Sequence, residues 1–96
     1  MRTRFKKLFT SVNDYLDQEV TLMAWVRTNR AQAQFGFLSI NDGTYFENLQ
    51  VVYDNTLTNF DEISKFRVGV SVLVVGKVIL TPQNKQPFEI HATKVE

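Results

Sequence analysis

The sequence predicts an all-β domain: a small barrel of five strands, with one short helix between the third and fourth and a short helical lead-in at the N-terminus. Three observations predict it. Apolar and polar residues alternate with a period of two over four segments; the period changes to three between residues 57 and 66; and glycines fall where a tightly curved sheet must bend. The 96 residues form one domain, 1–96, and 44% hydrophobic with 22% charged residues sets them among globular rather than disordered chains.

Phe5, Leu8, Phe9, Val12 and Leu16 give the lead-in an apolar stripe. Over 19–30, Val20, Leu22, Ala24 and Val26 alternate with Thr21, Met23, Trp25 and Arg27, which predicts a long first strand. A second strand over 34–41 sets Phe35, Phe37 and Ser39 on one face and Gly36, Leu38 and Ile40 on the other. Asn41-Asp42-Gly43 then signals a turn. A third strand over 48–53 opposes Leu49, Val51 and Tyr53 to Asn48, Gln50 and Val52. Leu57, Phe60, Ile63 and Phe66 recur every third residue and predict the helix, with Thr58 and Asp61 spaced to cap its start and Val68-Gly69 to end it. The nearly continuous apolar run over 70–81 predicts a buried fourth strand, bent or bulged at Gly76. A turn over Pro82-Gln83-Asn84-Lys85 leads to an alternating fifth strand over 87–95, with Phe88, Ile90 and Ala92 opposite Glu89, His91 and Thr93. Three strands, a helix and two strands are the element order of the OB-fold, a five-stranded Greek-key barrel. An SH3-like barrel, the main competitor, lacks a helix of this length at that point.

Composition excludes much chemistry. The chain has no cysteine and a single histidine, which removes disulfides, thiolate nucleophiles and cysteine or multi-histidine metal sites. No serine lies in a G-x-S-x-G context and no Gly-rich phosphate loop occurs. Asp61 and Glu62 complement a helix start rather than hold a metal. His91, in an alternating strand, reads as a partly exposed or core-edge residue rather than a general base. No catalytic, metal or cofactor site is therefore expected in these residues. Unbroken apolar runs such as Val72–Val75 are far short of the ~18 residues of a membrane span. Residues 1–7 lack the apolar stretch of a secretory signal, so no membrane partner and a cytoplasmic location are expected.

The charges are unevenly placed. Residues 1–30 carry Arg2, Arg4, Lys6, Lys7, Arg27 and Arg30 against Asp14, Asp17 and Glu19, a surplus of three; the rest of the chain is −2, and the sum is the net +1. OB-folds take single-stranded nucleic acid on the face of strands two and three, where bases stack on aromatic rings and cations track phosphates. Phe35 and Phe37 share one face of strand two, with Arg27, Asn29 and Arg30 just before it. Gln50, an amide inside Leu49-Gln50-Val51-Val52, offers both donors and an acceptor to the edge of an unstacked base.

Val20-Thr21-Leu22-Met23-Ala24-Trp25-Val26-Arg27-Thr28-Asn29-Arg30, Phe35-Gly36-Phe37-Leu38, Ile40-Asn41-Asp42-Gly43 and Leu49-Gln50-Val51-Val52 resemble the N-terminal anticodon-binding domain of asparaginyl-tRNA synthetase, in the class II group shared with the aspartyl and lysyl enzymes. The resemblance runs from Phe5 to Glu96, and Thr81-Pro82 with Gln86-Pro87-Phe88-Glu89 favours the asparaginyl member over the aspartyl one. It implies that Phe37 stacks on the middle anticodon base, a uridine, that Gln50 bonds that uridine's edge, and that Arg30 contacts the same base or its phosphate. It further implies that Glu89 meets the first base, a guanine or its modified form, and that the loop from Pro82 to Gln86, with Asn84 and Lys85, meets the third. Arg27, Asn29 and Phe35 join as further contacts. The implied partner is an asparagine-specific tRNA with a GUU anticodon. The implied parent is a homodimeric asparagine–tRNA ligase using ATP and Mg²⁺, whose catalytic domain would follow Glu96, so these residues are expected to be a part of it. Ala24 departs from the family's glycine before Trp-Val, predicting a gentler bend in strand one, and residues 31–35 lack a basic residue common there. Three other readings remain: a general single-strand-binding module, the anticodon domain of an aspartyl-type synthetase, and a protein-interaction domain with Phe35 and Trp25 as an apolar patch.

Overall fold

In the computed structural model, which describes residues 3–45, 47–81 and 88–96, five strands close into a barrel. The elements run α1 (Phe5–Thr10), a 3-10 turn (Val12–Asp14), β1 (Glu19–Ala31), β2 (Phe35–Asn41), β3 (Leu49–Asp54), α2 (Phe60–Ile63), β4 (Ser71–Leu80) and β5 (Phe88–Val95). The order around the barrel is β1-β2-β3-β5-β4, with β4 paired back onto β1. All pairings are antiparallel except β3–β5, a short parallel ladder with Val51 opposite Ile90 and Val52 opposite His91.

β1 serves two partners in succession. Its first half, Glu19–Trp25, pairs with β4, and its second half, Trp25–Ala31, with β2. In the β2 ladder Val26 faces Ile40 and Thr28 faces Ser39, leaving Arg27 as an extra residue, a β-bulge. Because side chains alternate with a period of two, one extra residue reverses the facing of everything after it. Val20, Leu22, Ala24 and Val26 are buried, and beyond the bulge Asn29 turns inward while Thr28 and Arg30 point out. A second irregularity in the β4–β5 ladder, between Val75 and Gly76, skips Thr93 on β5 and brings Val95 rather than Ala92 fully into the core. The bulge expected at Gly76 is present, and a Cβ there would lie 2.6 Å from Ile90 Cγ2 and 2.7 Å from the His91 carbonyl oxygen.

The core is the inner surface of the barrel: Leu22, Val26, Leu38, Ile40, Leu49, Val51, Val74, Val78 and Ile90 are completely buried. The lead-in adds Phe5 and Leu8 to this core, with Phe9 stacked on Tyr45 at 4.5 Å. The Asn41-Asp42-Gly43 segment does more than turn. Asn41 Oδ1 accepts the Gly43 N–H (2.7 Å), Gly43 takes φ +83°, and Asp42 Oδ2 accepts the Phe5 N–H at 2.8 Å, fastening the otherwise unsatisfied first turn of α1.

The helix expected over 57–66 is shorter than its apolar period suggested. Only Phe60–Ile63 is helical, with turns on either side. The expected Thr58–Asp61 cap does not form: the N-cap is Asn59, with no side-chain capping bond, and its Nδ2 donates instead to the Val95 carbonyl at 2.7 Å. Gly69, at φ +92°, ends no helix but turns the chain into β4, where its N–H bonds the Val26 carbonyl. The period of three survives as packing, with Ile63 buried and Leu57, Phe60 and Phe66 half-buried against the core.

Asn29 ties this segment to the barrel. Its Nδ2 donates to the carbonyls of Ile63 (2.9 Å) and Phe66 (3.2 Å), and its Oδ1 accepts the buried Tyr53 hydroxyl at 2.7 Å. The Tyr53 ring lies across Gly36, its partner on β2, and the ring of Phe60 is 5.6 Å away. A Cβ on Gly36 would overlap the tyrosine ring, which the Asn29 bond and Phe60 hold in place. Gly36→Ala is therefore expected to destabilise the domain by about 1–3 kcal/mol, read as a lower urea midpoint; an unchanged midpoint would mean the ring yields freely. Burial pushes the Tyr53 phenol above its usual 10.0, with the Asn29 bond opposing in part. The folded state then keeps a proton that the unfolded chain releases, so this contribution is complete below pH 10.0 and is lost as pH rises through the raised folded value. Denaturation midpoints should fall between about pH 9 and about pH 12, and Tyr53→Phe should flatten that slope.

Candidate nucleic-acid interface

The outward faces of β2, β3 and β5 form one continuous surface, and the ladder registers give its layout. Arg30, Phe37, Val52, His91 and Lys77 make one row across all five strands. Beside it run Thr28, Ser39 and Gln50, with Glu89 next on β5 and Ile79 opposite it on β4. Phe37 and Gln50 are diagonal neighbours on β2 and β3, about 7–8 Å apart at the backbone, within reach of one flat ligand.

Phe35 and Phe37 lie on this face as the alternation predicted. Phe35 is 41% exposed and Phe37 half-buried, their rings meeting edge to face at 5.4 Å and 87°. The Arg30 guanidinium stands over the Phe37 ring, its Cζ 5.7 Å from the centroid, a cation–π contact that the Arg27 bulge makes possible by turning Arg30 outward. Arg27 itself is exposed at the bulge. At the Phe35 end of the face, Asp54 opposes Phe35, and two bonds donated by Thr56, from its side chain and its backbone, hold the Asp54 carboxyl below its usual 3.8.

Gln50 and Glu89 meet directly: Gln50 Nε2 donates to Glu89 Oε2 at 2.8 Å. A carboxylate only accepts, so the NH₂ of the amide must face Glu89 and its oxygen must face away. The second oxygen, Glu89 Oε1, bonds His91 Nε2 at 2.9 Å. A chain of amide, carboxylate and imidazole thus crosses from β3 to β5, with the Glu89 side chain 14% exposed and His91 49% exposed.

Of the residues singled out in the sequence, Arg30, Phe35, Phe37, Gln50 and Glu89 share this face. Asn29 does not. It was expected as a loop contact, but the bulge turns it inward and both ends of its amide are bonded within the fold. Asn84, Lys85 and Gln86 lie outside the described residues. His91 is partly exposed, as its place in an alternating strand predicts, and it also joins the bonded chain, for which the signal is its position two residues after Glu89 on the same face. Among the described residues no group of three or more His, Cys, Asp or Glu could hold a metal ion, and no helix is long and apolar enough to cross a membrane.

A closed five-stranded barrel in this order, with a helical segment between its third and fourth strands, is an OB-fold domain. Residues 20–96 match the tRNA anti-codon family model, described as an OB-fold nucleic acid binding domain, and the chain belongs to that family. Among curated proteins it is 44% identical over 90 residues to the asparagine–tRNA ligase of Clostridium beijerinckii and 49% identical to that of Clostridium acetobutylicum, covering 94% of this chain and 19% of each relative. The chain thus spans about a fifth of the length of these relatives. Its fold superposes on asparaginyl-tRNA synthetase from Pyrococcus horikoshii, complexed with asparaginyl-adenylate, with a TM-score of 0.83 at 24% identity, over 100% of this chain and 22% of that one. It superposes on an aspartyl-tRNA synthetase from Entamoeba histolytica with 0.81 at 20% identity, over 99% of this chain and 20% of that one.

Proposed function

We propose that this domain reads the anticodon of an asparagine-specific tRNA as the recognition module of an asparagine–tRNA ligase. The observation that carries the reading is the Gln50–Glu89 hydrogen bond beside the Phe37 ring: a stacking platform and two base-edge readers on one outward, half-buried face. Phe37 takes the middle base, a uracil, on its ring. Gln50, its amide oriented by Glu89, accepts the uracil N3–H through Oε1 and keeps one Nε2 hydrogen for a neighbouring carbonyl of the base. Glu89 accepts from the first base, whose Watson–Crick edge, for guanine, carries two donors side by side. Arg30, held against the platform, pairs with the phosphate of the stacked nucleotide, and Arg27 and Phe35 extend the contact along the loop. The segment 82–86 meets the third base.

The function is selection rather than reaction. Ligation needs ATP and Mg²⁺ to activate the amino acid, and in this reading the catalytic and dimer-forming parts belong to the remaining four-fifths of a chain like the relatives, in the cytoplasm. Residues 1–96 unstack and hold the anticodon there.

The test is a fluorescence titration of the chain with anticodon stem-loops carrying GUU or GCU, at two salt concentrations. Tighter binding of GUU, with a gap that persists as salt rises, supports the reading, because base contacts specify while phosphate contacts carry the salt dependence. Equal and salt-sensitive binding of both loops would mark a general single-strand binder instead. Phe37→Ala should lose about 1–3 kcal/mol on both loops while its circular dichroism stays native; an unfolded variant would assign Phe37 to the core. Gln50→Ala should narrow the GUU–GCU gap more than it lowers affinity for either loop.

A further inference from the structure

The geometry points to His91 as a positioning residue that sets how strictly Glu89 discriminates the first base, an inference that rests on the anticodon reading above. Glu89 is held at both oxygens, by Gln50 Nε2 on Oε2 and by His91 Nε2 on Oε1, at 2.8 and 2.9 Å. The two donors come from different strands, Gln50 from β3 and His91 from β5, so they fix the plane of the carboxylate and not only its position. An ionised carboxylate has about four acceptor directions; with two occupied, about one remains on each oxygen. These two acceptors side by side match a base edge with two adjacent donors. Guanine alone has one, its N1–H and exocyclic amino group, whereas adenine, cytosine and uracil each set an acceptor beside a donor.

A carboxylate bonded only by Gln50 would lack the second restraint. It could turn about its terminal torsion, meet a single donor with one oxygen and leave the other to water, and so accept a poorer edge at little loss. With His91 in place the oxygens cannot turn, and a base lacking the second donor leaves one half-buried acceptor unsatisfied. The imidazole serves as donor in both of its charge states. Glu89 Oε1 only accepts, so the proton must sit on Nε2 whether or not Nδ1 also carries one. Val52, directly opposite His91 on β3, carries no polar group; the nearby Asp54 carboxylate interacts with His91 through charge and takes its own hydrogen bonds from Thr56.

The experiment compares stem-loops carrying GUU and IUU, because inosine keeps N1–H and lacks the exocyclic amino group. The chain should bind GUU about tenfold more tightly than IUU, the effect of one unsatisfied acceptor. His91→Phe, which keeps a ring on β5 without a donor, should reduce that ratio to within about twofold, and His91→Gln, which restores an N–H, should keep most of it. Imidazole ¹⁵N shifts of the free chain should show the Nε2–H tautomer. His91→Phe retaining the full ratio would overturn the inference, and so would equal loss in His91→Phe and His91→Gln, which would make the residue merely structural. A wild-type chain that prefers GUU over GCU yet does not separate GUU from IUU overturns this inference and leaves the anticodon reading standing. A chain that separates none of the three loops overturns both.

Discussion

The single extra residue at Arg27 governs both the barrel and its outer face. β1 must leave β4 and join β2 without breaking, and the bulge is where it does so. Reversed facing beyond that point has two results at once. Asn29 enters the interior, where it bonds the α2 segment and the Tyr53 hydroxyl, and Arg30 comes out over the Phe37 ring. Without the bulge, Asn29 would point to solvent, and the Arg30 guanidinium would point into a core that offers no buried carboxylate among the described residues. The stability of the helical segment and the cation beside the aromatic platform are thus two consequences of one backbone irregularity.

Strand faces were legible in the sequence because a half-buried strand must alternate, and the outward placement of Phe35, Phe37, Gln50 and Glu89 follows from period two alone. The Gly76 bulge was legible because glycine marks a place where backbone approaches closely. The Arg27 bulge was not: it carries no glycine and falls inside an unbroken β-forming run, so counting by twos runs past it and puts Asn29 on the wrong side. The α2 segment misled for a related reason. Apolar spacing of three reports which side chains pack inward, and a chain of successive turns satisfies it as well as a helix does. The bond between Gln50 and Glu89 was beyond any local signal, since it depends on the parallel closure of β3 on β5 across 39 residues.

On the outer face, aromatic rings, a guanidinium and a hydrogen-bonded amide–carboxylate pair lie side by side, groups whose interactions depend differently on solvent. Stacking and hydrogen bonding to base edges act at contact distance, whereas the cations act through a screened field. A net charge of only +1 gives the chain little long-range field of either sign, so contact-distance interactions dominate at this face.

The β3–β5 ladder is parallel and, among the described residues, holds only the pairs Val51–Ile90 and Val52–His91, fewer than any other joint of the barrel. Gln50 and Glu89 stand on its two sides, and any molecule gripped by both is a stitch across the seam. A ligand bonded to both would couple the surface to the interior: the work of prying the two strands apart would then include the work of expelling it.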